Sequence, residues 1–520
     1  METEKKADNT VFIVSLIICA VIVVWAVGFN QSFSVASNAI FSFFTVDFGW
    51  LYMAAMFAFV VFALVIAFSK FGGIKLGEDD SKPEYSTVSW FAMLFGCGMG
   101  VGLVFWGVSE PISHLMAENL PNGAAAGSPE AALYAFRASF MHWGFTPWAN
   151  YSIIGLALAY FQFRKHKPGL VSTTLEPLIG TKLTKGWLGK LVDVLAVFAT
   201  VAGVVTSLGL GVMQINAGFN FLFGLPSNLV VQIIIIAVIS VIYIGTAVAG
   251  IDKGISLISD LNLYIAVGLL LACFLVGPKL DILNNLIGGL GSYLQFFIND
   301  SLGLTAYGDN SWVLSWRIFY WAWWLAWAPF VGVFIARISK GRTIREFVAG
   351  VVLVPAIASI VWFSVFGSLG VSLGMVGTVA LDALKQIAAT PETGLFIVLQ
   401  HYPLGAVLSL VAIVLLCTFF ITSANSGTFV LGMLSSNGNL NPPKKRMFVW
   451  GVIQSVMAVG MLIAGGLKPL QTISIAAAFP FIFIMIAVMF SLVKALSSDE
   501  AVTDEKETET AAPQVEAQKA

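Results

Sequence analysis

The segment Gly96-Cys97-Gly98-Met99-Gly100-Val101-Gly102 places a glycine at every second position of an apolar run. Each glycine costs a helix interior about 1 kcal/mol relative to alanine, so the spacing predicts a broken helix. Unwound backbone inside a bilayer persists only where it is buried in protein or lines a cavity. There, its carbonyls and the half-helix ends can hold a small cation, and freed N–H groups can meet an anion. The pairs Gly96/Gly100 and Gly98/Gly102 also suit close helix packing through small residues. The run alone leaves both readings open.

Aromatic residues form the second candidate group. Residues 320–330 read YWAWWLAWAPF. Tryptophan gathers at membrane interfaces, but Trp324 lies 12 residues beyond the start of its apolar segment at Trp312, about 18 Å deep at 1.5 Å per residue. Trp323, Trp327 and Phe330 recur at i, i+4, i+7 and share a helix face; Tyr320, Trp324 and Trp327 share an overlapping one. Residues 142–148, HWGFTPW, bring Trp143 and Trp148, with Tyr151 one turn beyond, and Pro147 predicts a kink there. Aromatic faces attract alkylated ammonium groups by about 2 kcal/mol or more when desolvated; the same rings can also fill a core. A third group, Phe419 to Ser426, carries the Thr422 and Ser423 hydroxyls. These suit a hard cation or a bond back to the i−4 carbonyl. Spans 3, 8 and 10, which carry the glycine run, the tryptophan segment and this hydroxyl group, are expected to hold no Asp or Glu at mid-depth. That favours a zwitterion, which brings its own carboxylate, over a permanent cation such as choline. Glu110 and Pro111 are expected to close their segment on the outside, and His142 to be a hydrogen-bonded structural residue.

These residues must be held by membrane helices. The chain has 520 residues, 58% apolar and 11% charged, against about 25% charged in soluble domains. Runs of about 20 apolar residues recur, each enough to cross roughly 30 Å of hydrocarbon. Twelve spans are expected, near 10–29, 49–71, 87–108, 131–162, 189–220, 227–249, 254–277, 312–338, 346–372, 403–434, 446–466 and 470–495. Of the 27 lysines and arginines, all but Arg137, Lys279, Arg317, Lys385 and Lys468 fall on one side of this arrangement. By the positive-inside rule that side, with both termini, is cytoplasmic. The net charge of −1 gives no sign of nucleic-acid binding, and the four cysteines show no metal-ligand or disulfide spacing. No nucleophile–base pair or metal cluster is expected within the spans, so an enzyme is not indicated. Residues 281–299 are too polar to span and suggest a helix lying in the outer interface.

Spans 3–7 and 8–12 form two sets of five. Span 3 opens the first set with the glycine break, and span 8 opens the second with a Trp-rich, Pro-containing segment expected to be interrupted too. That pattern points to an inverted-repeat transporter. The expected divisions are a cytoplasmic tail 1–9, two extra spans within 10–86, a first repeat 87–280, an interfacial helix and loop 281–311, a second repeat 312–495, and an acidic disordered cytoplasmic tail 496–520.

The motifs GMGVG at 98–102 with Glu110-Pro111, HWGFTPWANY at 142–151, YWAWWLAWAPFVGVFIARISKGRTIREF at 320–347 and FFITSANSG at 419–427 resemble the betaine/carnitine/choline transporter family. The resemblance extends over all twelve spans. It implies a LeuT-like fold of two inverted five-helix repeats behind two extra helices, and often a homotrimer. It implies a central aromatic box of Trp143, Trp148, Tyr151 and Trp324, with Trp323 and Trp327 on the inner path and the backbone of Met99, Gly100 and Gly102 beside the substrate. It further implies a sodium site of Phe419, Thr422 and Ser423 with the backbone at Gly96 and Met99, and a second with Thr200 and Phe330. The family's other threonine in that second site is Val204 here. Proton-coupled choline members carry Asp at the position of Gly102. Sodium-independent exchangers carry a Met where Val331 stands and an Arg in span 5. The resemblance therefore implies a sodium-coupled importer of a trimethylammonium compatible solute, most like glycine betaine, in a bacterial inner membrane. Sodium is the coupling ion, and no other cofactor is expected. Choline or carnitine transport and, from another class, an ion channel are the alternatives.

Overall fold

Within hydrocarbon, a segment that bonds its own N–H and C=O groups is the stable solution, so the apolar runs fold as helices. The computed structural model describes residues 9–98, 100–249 and 252–499. Among the described residues the only β pairing is one bridge, Lys75 with Thr343. Among the described residues, ten helices are long and apolar enough to cross a membrane: Thr10–Gly28, Gly49–Phe68, Trp187–Phe223, Leu229–Ala249, Ile258–Val276, Ser311–Arg337, Ile344–Met375, Gly405–Leu434, Lys444–Ile463 and Leu467–Ser497. They correspond to spans 1, 2 and 5–12. Spans 3 and 4 are each split into half-helices, Thr87–Gly98 with Val101–Leu115, and Pro129–Trp143 with Phe145–Ala159. The chain is an all-α multi-pass membrane protein. Residues 30–42, between spans 1 and 2, form a further helix that the apolar pattern did not single out.

The two breaks have different local causes. Span 3 leaves the helix at the glycine run, where Gly100 is extended (φ −150°, ψ −166°); Met99 lies outside the described residues. Only one break occurs, and Gly98 and Gly102 remain helical on either side. Span 4 breaks at Gly144 (φ −88°, ψ −128°), and Pro147 then sits in the first turn of the new helix, where no N–H is needed. A proline ring clashes with the carbonyl four residues back, which for Pro147 is that of Trp143. The helix therefore stops at Trp143 rather than kinking at the proline. The freed Phe145 N–H donates to the Tyr293 hydroxyl at 3.1 Å. Tyr293 belongs to the helix Lys279–Leu302, which runs beyond the 281–299 expected of it. A side chain at position 144 would lie 2.8 Å from that hydroxyl, so glycine permits the approach.

Span 8 does not match its expected interruption. The chain turns at Trp316 and then runs as one helix, Arg317–Arg337, straight through Pro329. No glycine lies between Arg317 and Val331 to let the backbone depart, and a single missing N–H is tolerated in a packed membrane helix.

One end of the bundle is built from basic side chains. Leu76 N–H donates to the Arg342 carbonyl and Gly341 N–H to the Leu76 carbonyl, both at 2.8 Å. Arg342 stands 4.0 Å from the Trp90 ring centroid and donates to the Tyr85 carbonyl, while Arg345 donates to the Ala67 carbonyl. These bonds make Arg342 and Arg345 anchors of the 2–3 and 8–9 loops. At the end of span 4, Arg164 reaches Asp79 and Asp499, each at 2.7 Å. Asp499 is buried and also accepts from Tyr160 at 2.7 Å. Burial alone would raise the Asp499 pKa. The hydrogen bonds from Arg164, Tyr160 and Lys165 outweigh it and hold this carboxyl well below the usual aspartate range.

Arg164→Ala leaves the buried Asp499 without its main partner and should cost about 3 kcal/mol, read as a lower melting temperature in detergent. Because the folded pKa is depressed, this stabilisation is complete above the unfolded aspartate pKa of about 3.9. It is lost as pH falls further, through the lower folded pKa. The melting gap between wild type and R164A should therefore be full at neutral pH and narrow as pH falls through the pKa that burial gives Asp499 in the variant. A gap unchanged down to about pH 3 would assign it to another group.

Candidate functional site

The half-helix ends of spans 3 and 4 face span 8, and the space between them is walled by indoles. Trp143 and Trp324 meet edge to face with centroids 4.8 Å apart, Trp148 and Tyr151 at 5.4 Å, and Tyr151 and Trp324 at 6.4 Å. Trp323 stacks on Trp324 at 4.9 Å. Hydrogen bonds fix these rings. The Trp324 indole donates to the His142 carbonyl at 2.8 Å, and the Asn150 amide donates to the Trp324 carbonyl at 3.0 Å. The rings line a cavity of about 600 Å³ together with Gly100, Gly102, Trp327 and Ser423. Gly102 is the close-approach residue: a methyl there would stand 2.9 Å from Trp323 and 3.0 Å from Trp143. All the described substrate-side residues expected from sequence thus fall on one cavity, with Met99 outside the described residues.

A second cavity of about 1010 Å³ lies beneath it. It is lined by Gly96, Phe419, Thr422, Ser423 and Phe330 among others, so five of the expected cation-site residues meet there. Trp327 and Ser423 line both cavities. Gly96 and Asp260 are exposed, whereas every residue from Val101 to Met116 is buried. The site therefore opens toward the basic end and is sealed at the other. Thr422 donates to the Thr418 and Phe419 carbonyls and accepts from Asn262 at 3.1 Å. Thr200 lines neither cavity; it is buried and donates to the Ala196 carbonyl at 2.8 Å. Val204 packs over Gly427.

Four residues went unrecognised in the sequence. Ser207 and Ser359 line the aromatic cavity, and Asn262 lines the inner one with its amide oxygen unpartnered. The fourth, Glu110, overturns an expectation. It does not close span 3 on the outside, because the helix continues to Leu115 and buries Glu110 completely. Span 3 therefore does carry an acidic residue inside the fold. One carboxylate oxygen accepts from the Trp143 indole at 2.8 Å and from the Tyr320 hydroxyl at 2.5 Å. The other faces His142 Nδ1 at 2.7 Å and His114 Nε2 at 3.3 Å. Glu110, His114 and His142 also have metal-ligand atoms within 4.8 Å of one another, a cluster that sequence spacing missed because His142 is on another helix. The two carboxylate oxygens are already taken up by four hydrogen-bond partners, and the outward ring nitrogens lack the second-shell partner that ligating histidines normally have. The cluster fits a hydrogen-bonded carboxylate rather than a metal centre.

The chain matches the model of the BCCT, betaine/carnitine/choline family transporters, over residues 10–501. It is 46% identical over 496 residues to the glycine betaine transporter OpuD of Bacillus subtilis (strain 168), covering 95% of both chains. It is 44% identical over 502 residues to a probable glycine betaine transporter of Desulfitobacterium hafniense (strain Y51), covering 96% of this chain and 99% of that one. An ectoine/hydroxyectoine transporter of Virgibacillus pantothenticus is 43% identical over 499 residues, covering 96% and 98%.

Gly102→Ala should force Trp143 and Trp323 apart and open the aromatic contact. Affinity for tetramethylammonium, read by quenching of tryptophan fluorescence in purified protein, should fall at least about tenfold. Unchanged affinity would remove Gly102 from the site.

Proposed function

The chain belongs to the betaine/carnitine/choline transporter family, and from that premise we propose that it imports glycine betaine by sodium symport with alternating access. The observation that carries the reading is the aromatic cavity of Trp143, Trp148, Tyr151 and Trp324, whose faces suit a trimethylammonium head. The zwitterion's carboxylate has donors to meet. The Trp323 and Trp327 indole N–H groups are buried without partners, and Ser207 stands on the same cavity. The named functions of two relatives support the same solute.

Sodium would sit in the inner cavity, held by the Ser423 hydroxyl and carbonyls at the open ends of the half-helices, with Thr422 and Phe419 beside them. Asn262, with its unpartnered amide oxygen, is a further donor. The second site of Thr200 and Phe330 finds less support, since Thr200 faces neither cavity and Val204 brings no hydroxyl. One sodium per solute is the reading these residues favour. The basic end is the cytoplasmic side, so both termini are cytoplasmic and the described state is open inward. The protein would reside in the bacterial inner membrane, with a homotrimer as the family-like assembly. One bundle of helices would rock against the rest around the box.

The aromatic cavity also suits the delocalised cation of a cyclic amidinium carboxylate, and the ectoine/hydroxyectoine relative favours that as a second reading.

Labelled glycine betaine should accumulate in cells carrying the chain and stop accumulating when sodium is replaced by potassium. Uptake that persists in potassium would remove the coupling. Unlabelled ectoine, choline and carnitine should each compete more weakly than betaine; stronger competition by one reassigns the solute. Trp324→Leu should abolish uptake at unchanged protein level, and near-normal uptake would move the substrate elsewhere.

A further inference from the structure

The buried carboxylate of Glu110 touches the box without lining it. Its Oε2 accepts the Trp143 indole N–H at 2.8 Å, and Trp143 is one wall of the aromatic cavity. Trp324, the facing wall, sends its N–H to a neutral backbone carbonyl instead. The two central indoles are thus wired differently, one to a charge and one to a dipole.

The partners around Glu110 define its state. The indole is a donor only, and the Tyr320 hydroxyl reaches the same oxygen at 2.5 Å. The two histidine nitrogens that face Oε1 can both carry a proton, and their outer nitrogens then remain as bare acceptors, so no buried donor is left over. Four donors on two oxygens describe an ionised, acceptor-only carboxylate. The nearest buried cation on span 8 is Arg317, one turn outward of Tyr320, which bonds the Asp300 carbonyl while Asp300 pairs with Arg137. Arg317 is about 10 Å further out than Trp324 at 1.5 Å per residue. The outer half of the site is therefore polarised, with its negative end against the box.

We infer that Glu110 is a positioning and tuning residue for the trimethylammonium head. It aligns Trp143 and, by accepting its N–H, pushes electron density into the ring that the cation faces. Cation–π attraction is electrostatic and grows with the negative potential of the ring face. A negative charge one side chain behind that ring adds to the same potential, and burial of both groups weakens its screening. The inference rests on the betaine reading and assigns to this chain a buried counter-charge that selects cationic heads without touching them.

The test separates head charge from head shape. Purified full-length protein in proteoliposomes takes up labelled betaine in competition with unlabelled betaine or 3,3-dimethylbutanoate. The latter has carbon in place of the quaternary nitrogen and the same outline. In wild type, betaine should compete far better. In Glu110→Gln, which keeps size and one acceptor but removes the charge, that preference should shrink roughly three- to tenfold. A purely structural role would weaken both competitors alike and leave the ratio unchanged, which would overturn the inference. Should E110Q not fold, Trp143→Phe and Trp324→Phe supply the comparison, since each keeps a ring and removes one indole N–H. The preference should fall more in W143F than in W324F, and an equal or smaller fall would overturn the inference. Wild type that takes up no betaine would instead sink the substrate reading on which the inference stands.

Discussion

A backbone that stops being helical inside hydrocarbon must find other partners for its N–H and C=O groups, and this chain does so twice within 45 residues. The breaks at Gly100 and Gly144 create the half-helix ends that face span 8. Each needs support from outside its own span. Span 4 receives a hydroxyl from Tyr293, on a helix that does not itself count as a crossing. Span 3 opens onto cavities, where solute and ion groups can take the place of helical partners. Placement of the aromatic rings follows, because Trp143 is the last residue before one break and Gly102 lies just past the other.

Much of this was legible in the chain. Apolar runs gave the spans because length and composition are what the bilayer selects. The glycine alternation announced a break because glycine weakens helices by a known amount, and helix-face periodicity put Trp323 and Trp324 on overlapping faces that share Trp327. Less legible was anything that depends on a partner far away in sequence. Glu110 read as a helix terminator because acid followed by proline is a common end signal, yet Pro111 sits inside the helix and the acid is buried. Its environment comes from His142, Trp143 and Tyr320, as many as 210 residues away. The proline at 329 misled in the other direction: a breaker by type, it lacked a glycine on its N-terminal side to break at.

The polar groups also sort by depth. At the basic end, charge pairs and arginine–carbonyl bonds tie loops and helix ends together. At the sealed end, Glu110, two histidines and Arg317 are packed among Trp106, Trp312, Trp316 and Tyr320. Buried charge of this kind is costly unless bonded; Glu110 has four partners there, while Arg317 Nε and Nη2 and the outer nitrogens of both histidines have none among the described residues. At the inner cavity, Thr422 and Ser423 are half-buried, and the buried Asn262 leaves its amide oxygen without a partner among the described residues.

Trp327 and Ser423 form a party wall between the two cavities. An occupant on either side would touch residues that the other side also meets. Thermodynamic linkage then runs both ways: whatever factor an inner occupant adds to the affinity of the upper cavity, the upper occupant must return to the lower one. A single indole and a single hydroxyl held in common are the contacts through which such a coupling would pass.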